Sequence, residues 1–352
     1  MNLFILLKSD ILTLKKQGNT MSIVAKVYRG SIVDLTHIGH LAVVNYKGEL
    51  LHSYGDPQRV TYIRSSAKPI QALVALESGA VDEYGITKEE LAIFCASHNG
   101  EKIHTDTVKS ILSKAGLSVA NLQCGTHPSL NPEIAAILKE EGKVLDNSNS
   151  NCSGKHSGML VGSNFLGDDL DSYLSINHPV QQRILKAISQ ICEYDAKDII
   201  IGTDGCGVPV HALPLDKYAH GIAKLAKPDV FDEKREENVK RVIDAMVSYP
   251  YMVAGKDRLC TDLMLTCKGK LFAKLGADGY YAVGIIGKGI GLTFKCEDGK
   301  IPIVEALAVH TLYKLGFITK EEFDALEKYH KIEVKNHRGE TVGHTDFDFE
   351  LK

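Results

Sequence analysis

Hydrophobic positions along the chain fall into two rhythms. The N-terminal part carries short runs rich in valine and isoleucine, at about 22–29, 40–46 and 48–53, with the turn signal Asn45-Tyr46-Lys47-Gly48 between the last two. Runs of this kind bounded by turn residues predict strands. From Lys68 to about Tyr249 the apolar positions recur mostly at helical spacing. Ile70–Ser78 meets Gly79 at its end, and Thr87-Lys88-Glu89-Glu90 ahead of an apolar run spells a capping box. Segments 103–114, 132–141, 178–193, 215–226 and 233–248 also read as helices, interrupted by one strand-like run at 198–202. Strands return at about 270–275, 279–287 and 290–296, and helices at 301–315 and 319–331 close the pattern.

Strands from both chain ends around a long helical insertion predict an α+β fold. One mixed sheet (strands 22–53 and 270–296) would carry a large, mainly helical lobe (about 68–249). Residues 1–20 do not share the rhythm. Their apolar run is short and a lysine-rich polar piece follows, so they read as an N-terminal extension, with a weak amphipathic helix as the alternative. Residues 21–352 then form a single two-lobed domain. The polar tail after His337 is expected to be loosely held.

Composition narrows the class. The chain has 352 residues and a formal charge of only −3, which points neither to nucleic acid nor to an anionic membrane. No apolar run is long enough to span a bilayer. Eight cysteines are spread from Cys95 to Cys296 without a tight framework, and no signal peptide precedes them. Reduced thiols in the cytoplasm are therefore expected rather than disulfides.

Two stretches carry candidate chemistry. In Ile63-Arg64-Ser65-Ser66-Ala67-Lys68-Pro69-Ile70, the Pro69 ring would clash with the carbonyl of Ser65 inside a helix. Pro69 therefore lies in a first turn, with Ser65 at or just outside the helix start and Lys68 three residues on. Free N–H groups at such a start can hold a developing oxyanion, and the positive end of the helix favours a neutral Lys68. Alone, the stretch reads first as a plain N-cap. Downstream, however, Ser97-His98-Asn99 follows a helix and Lys274-Leu275-Gly276 falls on a late strand, in the order of a penicillin-recognising serine site. Leu275 departs from the small hydroxyl usual at that position, which argues against β-lactam recognition.

The second stretch is a pair of glycine-bearing segments, 149–158 and 202–207, both read as loops. Cys152, His156 and Cys206 would make a thiolate-rich zinc site, with Asp204 as a further carboxylate. The alternative is two structural loops with incidental cysteines.

Taken together, IRSSAKPIQALVALESGA, FCASHNGE, CGTHPSLNP, NCSGKHSGML, IGTDGCGVPVHALPL and KLGADG resemble the rhizobial-type asparaginases of the asparaginase II family, which is similar to serine β-lactamases and glutaminases. The resemblance runs from about Met21 to about Gly299. It implies a β-lactamase/glutaminase-like fold and hydrolysis of L-asparagine to L-aspartate and ammonia through a serine acyl-enzyme. Ser65 with Lys68 matches the family's first Ser-Lys pair, and Ser97 with Lys274 the second. Cys152, Lys155 and Cys206 match its zinc ligands, one ion per chain. Arg64, His156 and Asp204 flank these positions as candidate substrate contacts, and Ala277 is a candidate oxyanion donor. The expected protein is a cytoplasmic homodimer acting on a small molecule. A glutaminase or another serine amidase, and a non-catalytic amino-acid-binding protein, are the alternatives.

Overall fold

The structure is a computed structural model that describes residues 22–352, so the expectations for residues 1–20 and for a start at Met21 lie outside the described residues. The chain opens with β1 (Ile23–Arg29), β2 (Ile32–Asn45), β3 (Leu50–Tyr54) and β4 (Val60–Tyr62). It then enters a helical lobe that includes α1 (Lys68–Glu77), α2 (Lys88–Phe94) and α3 (Ser153–Leu166). Strands β5 (Ile200–Thr203) and β6 (Pro209–Pro214) and helix α4 (Leu215–Leu225) follow. After α5 (Leu259–Cys267) come β7 (Leu271–Gly276), β8 (Tyr280–Ile285), β9 (Ile290–Cys296), α6 (Ile301–Lys314), β10 (Glu333–Lys335) and β11 (Thr341–Asp346).

The main sheet is ordered β10-β11-β1-β2-β9-β8-β7, with β3 also beside β2. It joins the two ends of the chain, as the hydrophobic pattern predicts, and every pairing in it is antiparallel. Every residue of β7 and β8 is buried: α4 and α6 pack on β8 and β9, while α5 and residues 64–67 pack on β7. Strands buried on both sides lose the polar alternation of a half-exposed sheet. Phe272, Tyr281 and Phe294 fill this layer at 1% exposure or less. Truncating one such ring would cost about 3–5 kcal/mol. Among the described residues, no helix is long and apolar enough to cross a membrane.

The tail corrects the sequence reading. Residues 341–346 form β11, which pairs with β1, and Phe347 and Phe349 are buried beyond it. Two aromatic anchors in an otherwise polar segment are enough to seat it.

A second sheet, β4-β6-β5, positions the chemistry. Tyr62 and Ile200 pair with the same residue of β6, Ala212, from opposite sides. Strands β4 and β5 therefore run in the same direction. The Ile63 N–H bonds the His211 carbonyl at 3.0 Å and extends that alignment. Arg64 and Ser65 leave β4 at the end where Asp204–Cys206 leaves β5.

Candidate active site

Residues Arg64–Ala67 form a 3-10 turn that leads directly into α1, with Pro69 in the first turn of the helix. Arg64 sits in the left-handed region, at φ 49°. A non-glycine residue there is strained, and such strain persists only where its surroundings hold it. Two carboxylates do so: Asp204 meets the guanidinium at 2.8 and 3.0 Å, and Asp278 pairs with its other end. The two serines of the turn differ. The Ser66 hydroxyl is buried and donates to the Ile63 carbonyl at 2.6 Å, while the Tyr218 hydroxyl donates to the Ser66 carbonyl at 2.6 Å. The Ser65 hydroxyl is part-exposed and has no hydrogen-bond partner among the described residues.

The turn packs against β7 and β8. This approach explains Gly276, since a Cβ there would meet the Ile63 carbonyl at 2.9 Å. Ala277 follows in the β7–β8 turn. Its N–H and that of Ser65 have no acceptor among the described residues.

Ser97 receives both lysines. Lys68 Nζ donates to its Oγ at 3.0 Å and Lys274 Nζ at 2.8 Å. Lys68 also donates to the carbonyls of Ala96 and Asn151, and Lys274 to that of Leu275. The lysines therefore meet on Ser97 rather than dividing into one pair per serine. Both are essentially unexposed. Burial pushes both amines below the ordinary lysine range, Lys274 to about 7, and their mutual repulsion adds to the shift in Lys274. A serine hydroxyl between two depressed amines can pass a proton in either direction.

The helix α3 corrects the reading of 149–158 as a loop. It begins at Ser153, with Cys152 as its N-cap residue and Lys155 and His156 in its first turn. Gly154 lies so close to α2 that a Cβ would stand 2.0 Å from the Ile93 carbonyl. The glycines that read as loop punctuation are there for close helix packing. The Cys206 thiol lies beside Cys152, and Lys68 meets Cys152 Sγ at 3.3 Å. Lys155 meets Cys206 Sγ at 3.0 Å. The neighbouring Cys206 holds the Cys152 thiol well below its ordinary range against the opposing effect of burial, and Lys68 and Lys155 reinforce it. The neighbouring Cys152, with burial, pushes Cys206 up. Burial would lower Lys155, but Cys206, Cys152 and Asp204 outweigh it and keep the amine charged. Burial would likewise raise Asp204, and Lys155 and Arg64 hold it down. His156 Nδ1 meets the Tyr173 hydroxyl at 2.7 Å, and its Nε2 is buried without a partner.

Some contributors carried no sequence signal. Arg258 donates to the carbonyl of Ser97 and to Asn99 Oδ1, and so clamps the Ser97 segment. Cys260 Sγ accepts the Leu275 N–H at 3.1 Å, steadying β7 beside Lys274. Tyr218 and Asp278 act on the Ser65 turn from distant parts of the chain. Arg258, Cys260 and Tyr218 belong to no quoted motif, Asp278 lies in KLGADG without having been singled out, and only the folded chain brings them to the site.

The L-asparaginase II family matches residues 25–347. No curated protein matches the chain. Among solved structures, Mglu in its native form is 14% identical with a TM-score of 0.43, covering 80% of this chain and 66% of that one. The chain thus spans just under two thirds of that protein. A provisionally named β-lactamase from Bacteroides dorei DSM 17855 is 11% identical with a TM-score of 0.40, covering 88% of this chain and 99% of that one. The family match takes in both ends of the main sheet, the serine turn, both lysines and the thiol pair, and the chain belongs to the L-asparaginase II family.

Proposed function

We propose that the protein hydrolyses L-asparagine to L-aspartate and ammonia through an acyl-enzyme on Ser65. Family membership supplies the substrate class. One observation carries the mechanism: Lys68, at the end of the Ser65 turn, and Lys274, on the strand packed against that turn, both hold the hydroxyl of Ser97. The sheet and the helical lobe act as one catalytic unit.

In this mechanism the Ser65 hydroxyl attacks the side-chain amide carbon. Its proton passes to a neutral lysine, either Lys68 directly or Lys274 by way of Ser97. The N–H groups of Ser65 and Ala277 receive the developing oxyanion, and a donor of this kind is worth about 10²–10³ in rate. Collapse of the tetrahedral intermediate breaks the carbon–nitrogen bond, and ammonia departs with the proton held by the lysine. Water then attacks the Ser65 ester and releases aspartate. Arg64 takes the substrate α-carboxylate and Asp204 its α-ammonium, exchanging their mutual ion pair for two with the zwitterion. The unpartnered Nε2 of His156 offers one further polar contact.

Cys152, Lys155 and Cys206 would hold one zinc ion. Their chemistry fits: two adjacent thiols and an amine on one of them form a compact sulfur–sulfur–nitrogen donor set, and the protons they hold would leave on binding. Bound there, zinc supplies a fixed positive charge that orients polar groups around the substrate. All eight cysteines are free, in keeping with the proposed cytoplasmic location, and the assembly proposed is a homodimer.

The test is ammonia release from L-asparagine and L-glutamine at matched concentration. Faster release from asparagine supports the reading. Faster release from glutamine makes the protein a glutaminase, and release from neither removes the amidohydrolase assignment.

A further inference from the structure

His37, Cys296 and Asp298 offer three metal-ligating atoms that all lie within 4.8 Å of one another. The sheet places them. Strand β2 pairs with β9 so that Gly39 stands opposite Cys296, and the Glu297 N–H bonds the Ile38 carbonyl at 2.9 Å, which continues the ladder. His37 therefore stands opposite Asp298 and diagonal to Cys296 on one face. His37 Nδ1 lies 2.7 Å from one oxygen of Asp298, and the Cys296 thiol donates to the other at 3.0 Å. The Lys300 N–H also binds that second oxygen, at 3.2 Å. His37 and Cys296 are buried, whereas the Asp298 side chain is 43% exposed, so the cluster opens to solvent through its carboxylate.

We propose that His37, Cys296 and Asp298 form a zinc-binding site separate from Cys152, Lys155 and Cys206. Imidazole, thiolate and carboxylate together favour zinc over magnesium or calcium, and three protein ligands leave a fourth position for water. Bonds of about 2.0–2.3 Å set tetrahedral ligand atoms roughly 3.3–3.7 Å apart. The hydrogen-bonded contacts open by under about 1 Å to accept the ion, a movement that the half-exposed Asp298 can supply. On binding, the Cys296 thiol loses its proton to solvent and its sulfur bonds the metal. The imidazole proton shared between Nδ1 and Asp298 leaves Nδ1 for solvent, the ring keeps a proton on Nε2 as Nδ1 takes the metal, and Asp298 binds as the carboxylate. Burial, followed by Asp298, pushes the Cys296 thiol up to about 12, so the proton is present until a metal displaces it.

The site would also tie down the β7–β8 turn. The Cys296 N–H donates to the Gly279 carbonyl at 2.8 Å, and Lys295 bridges the carbonyls of Asp278 and Cys296. Ala277 lies in that same turn. A zinc content of one per chain would therefore not by itself assign the metal to Cys152.

The experiment uses the full chain carrying Cys152→Ala and Cys206→Ala, which removes both thiols of the first proposed zinc site without touching this cluster. Zinc uptake is counted by elemental analysis, and cobalt(II) is titrated to read the sulfur-to-metal charge-transfer band. The expected result is one ion per chain with a thiolate band. His37→Gln and Asp298→Asn should each weaken binding at least tenfold, and Cys296→Ser should remove the band. No uptake by the background chain, or uptake and band unaffected by these three variants, overturns the proposal. If the background chain does not fold, wild type is compared with Cys296→Ser: one ion fewer is expected, and equal uptake overturns it. Neither outcome depends on ammonia release, so the site and the proposed activity stand or fall separately.

Discussion

Replacing Lys274 with methionine should destroy activity and stabilise the protein. In the folded chain, burial takes this amine from 10.5 to about 7. At about 1.36 kcal/mol per unit, keeping it buried costs roughly 5 kcal/mol at and below neutral pH. Its bonds to Ser97 and to the Leu275 carbonyl offset part of that cost, at about 1 kcal/mol each, and stranding the carbonyl would cost about 1–3 kcal/mol. Methionine fills a similar volume without a charge, which leaves a net gain of up to about 2 kcal/mol. With an unfolding entropy of about 2.1 cal/mol/K per residue, this is a rise in Tm of up to roughly 3 °C for 352 residues. The sign of the pH dependence is fixed. Between about 7 and 10.5 the unfolded wild type binds a proton that the folded form lacks, so wild-type stability climbs with pH across this window. The advantage of methionine should be full below about 7, shrink as pH rises, and become a deficit near 10.5, where only the lost hydrogen bonds remain. Denaturant unfolding of both proteins from pH 6 to 10 measures it. An advantage that grows with pH, or a variant less stable than wild type at pH 6, would refute the reasoning.

Other consequences are quicker to read. If Lys274 is the amine that accepts the proton through Ser97, kcat/KM should fall about tenfold per unit below about pH 7 as Lys274 protonates, and a flat profile down to pH 5 would exclude it. Gly154→Ala should unfold or grossly destabilise the chain, because its Cβ would stand 2.0 Å from the Ile93 carbonyl; circular dichroism and Tm report this, and a loss under 1 °C would contradict the packing described. Ser66→Ala should lose about 1–2 kcal/mol from the missing bond to Ile63 yet release ammonia at a rate within about tenfold of wild type, and loss of turnover at unchanged stability would move the nucleophile.

The strands and most helices were legible because each has its own rhythm and punctuation. The capping box at Thr87 forms as written, and the Pro69 argument correctly puts Ser65 ahead of α1. Helix α3 was hidden because Gly154 and Gly158 imitate a loop while serving a close helix contact, which is a tertiary property. The seated tail was misread although Phe347, Phe349 and Leu351 alternate with Asp346, Asp348 and Glu350, because the polar composition around that short run outweighed its strand-like period. Within the site, sequence order singled out Ser65, Lys68, Ser97 and Lys274 but not their wiring. That both lysines reach Ser97 depends on β7 packing against the serine turn. That Arg64 meets Asp204 depends on β4 and β5 flanking β6 and running in the same direction. Neither relation leaves a trace in local spacing.

The central claim is that Ser65 is the nucleophile, and Ser65→Ala tests it most directly. Its hydroxyl makes no bond that the fold needs, so Tm should hold and L-asparagine should still bind. Ammonia release should fall by about 10⁴-fold or more, as expected when a catalytic serine is removed. Turnover by the folded variant within tenfold of wild type would contradict the account.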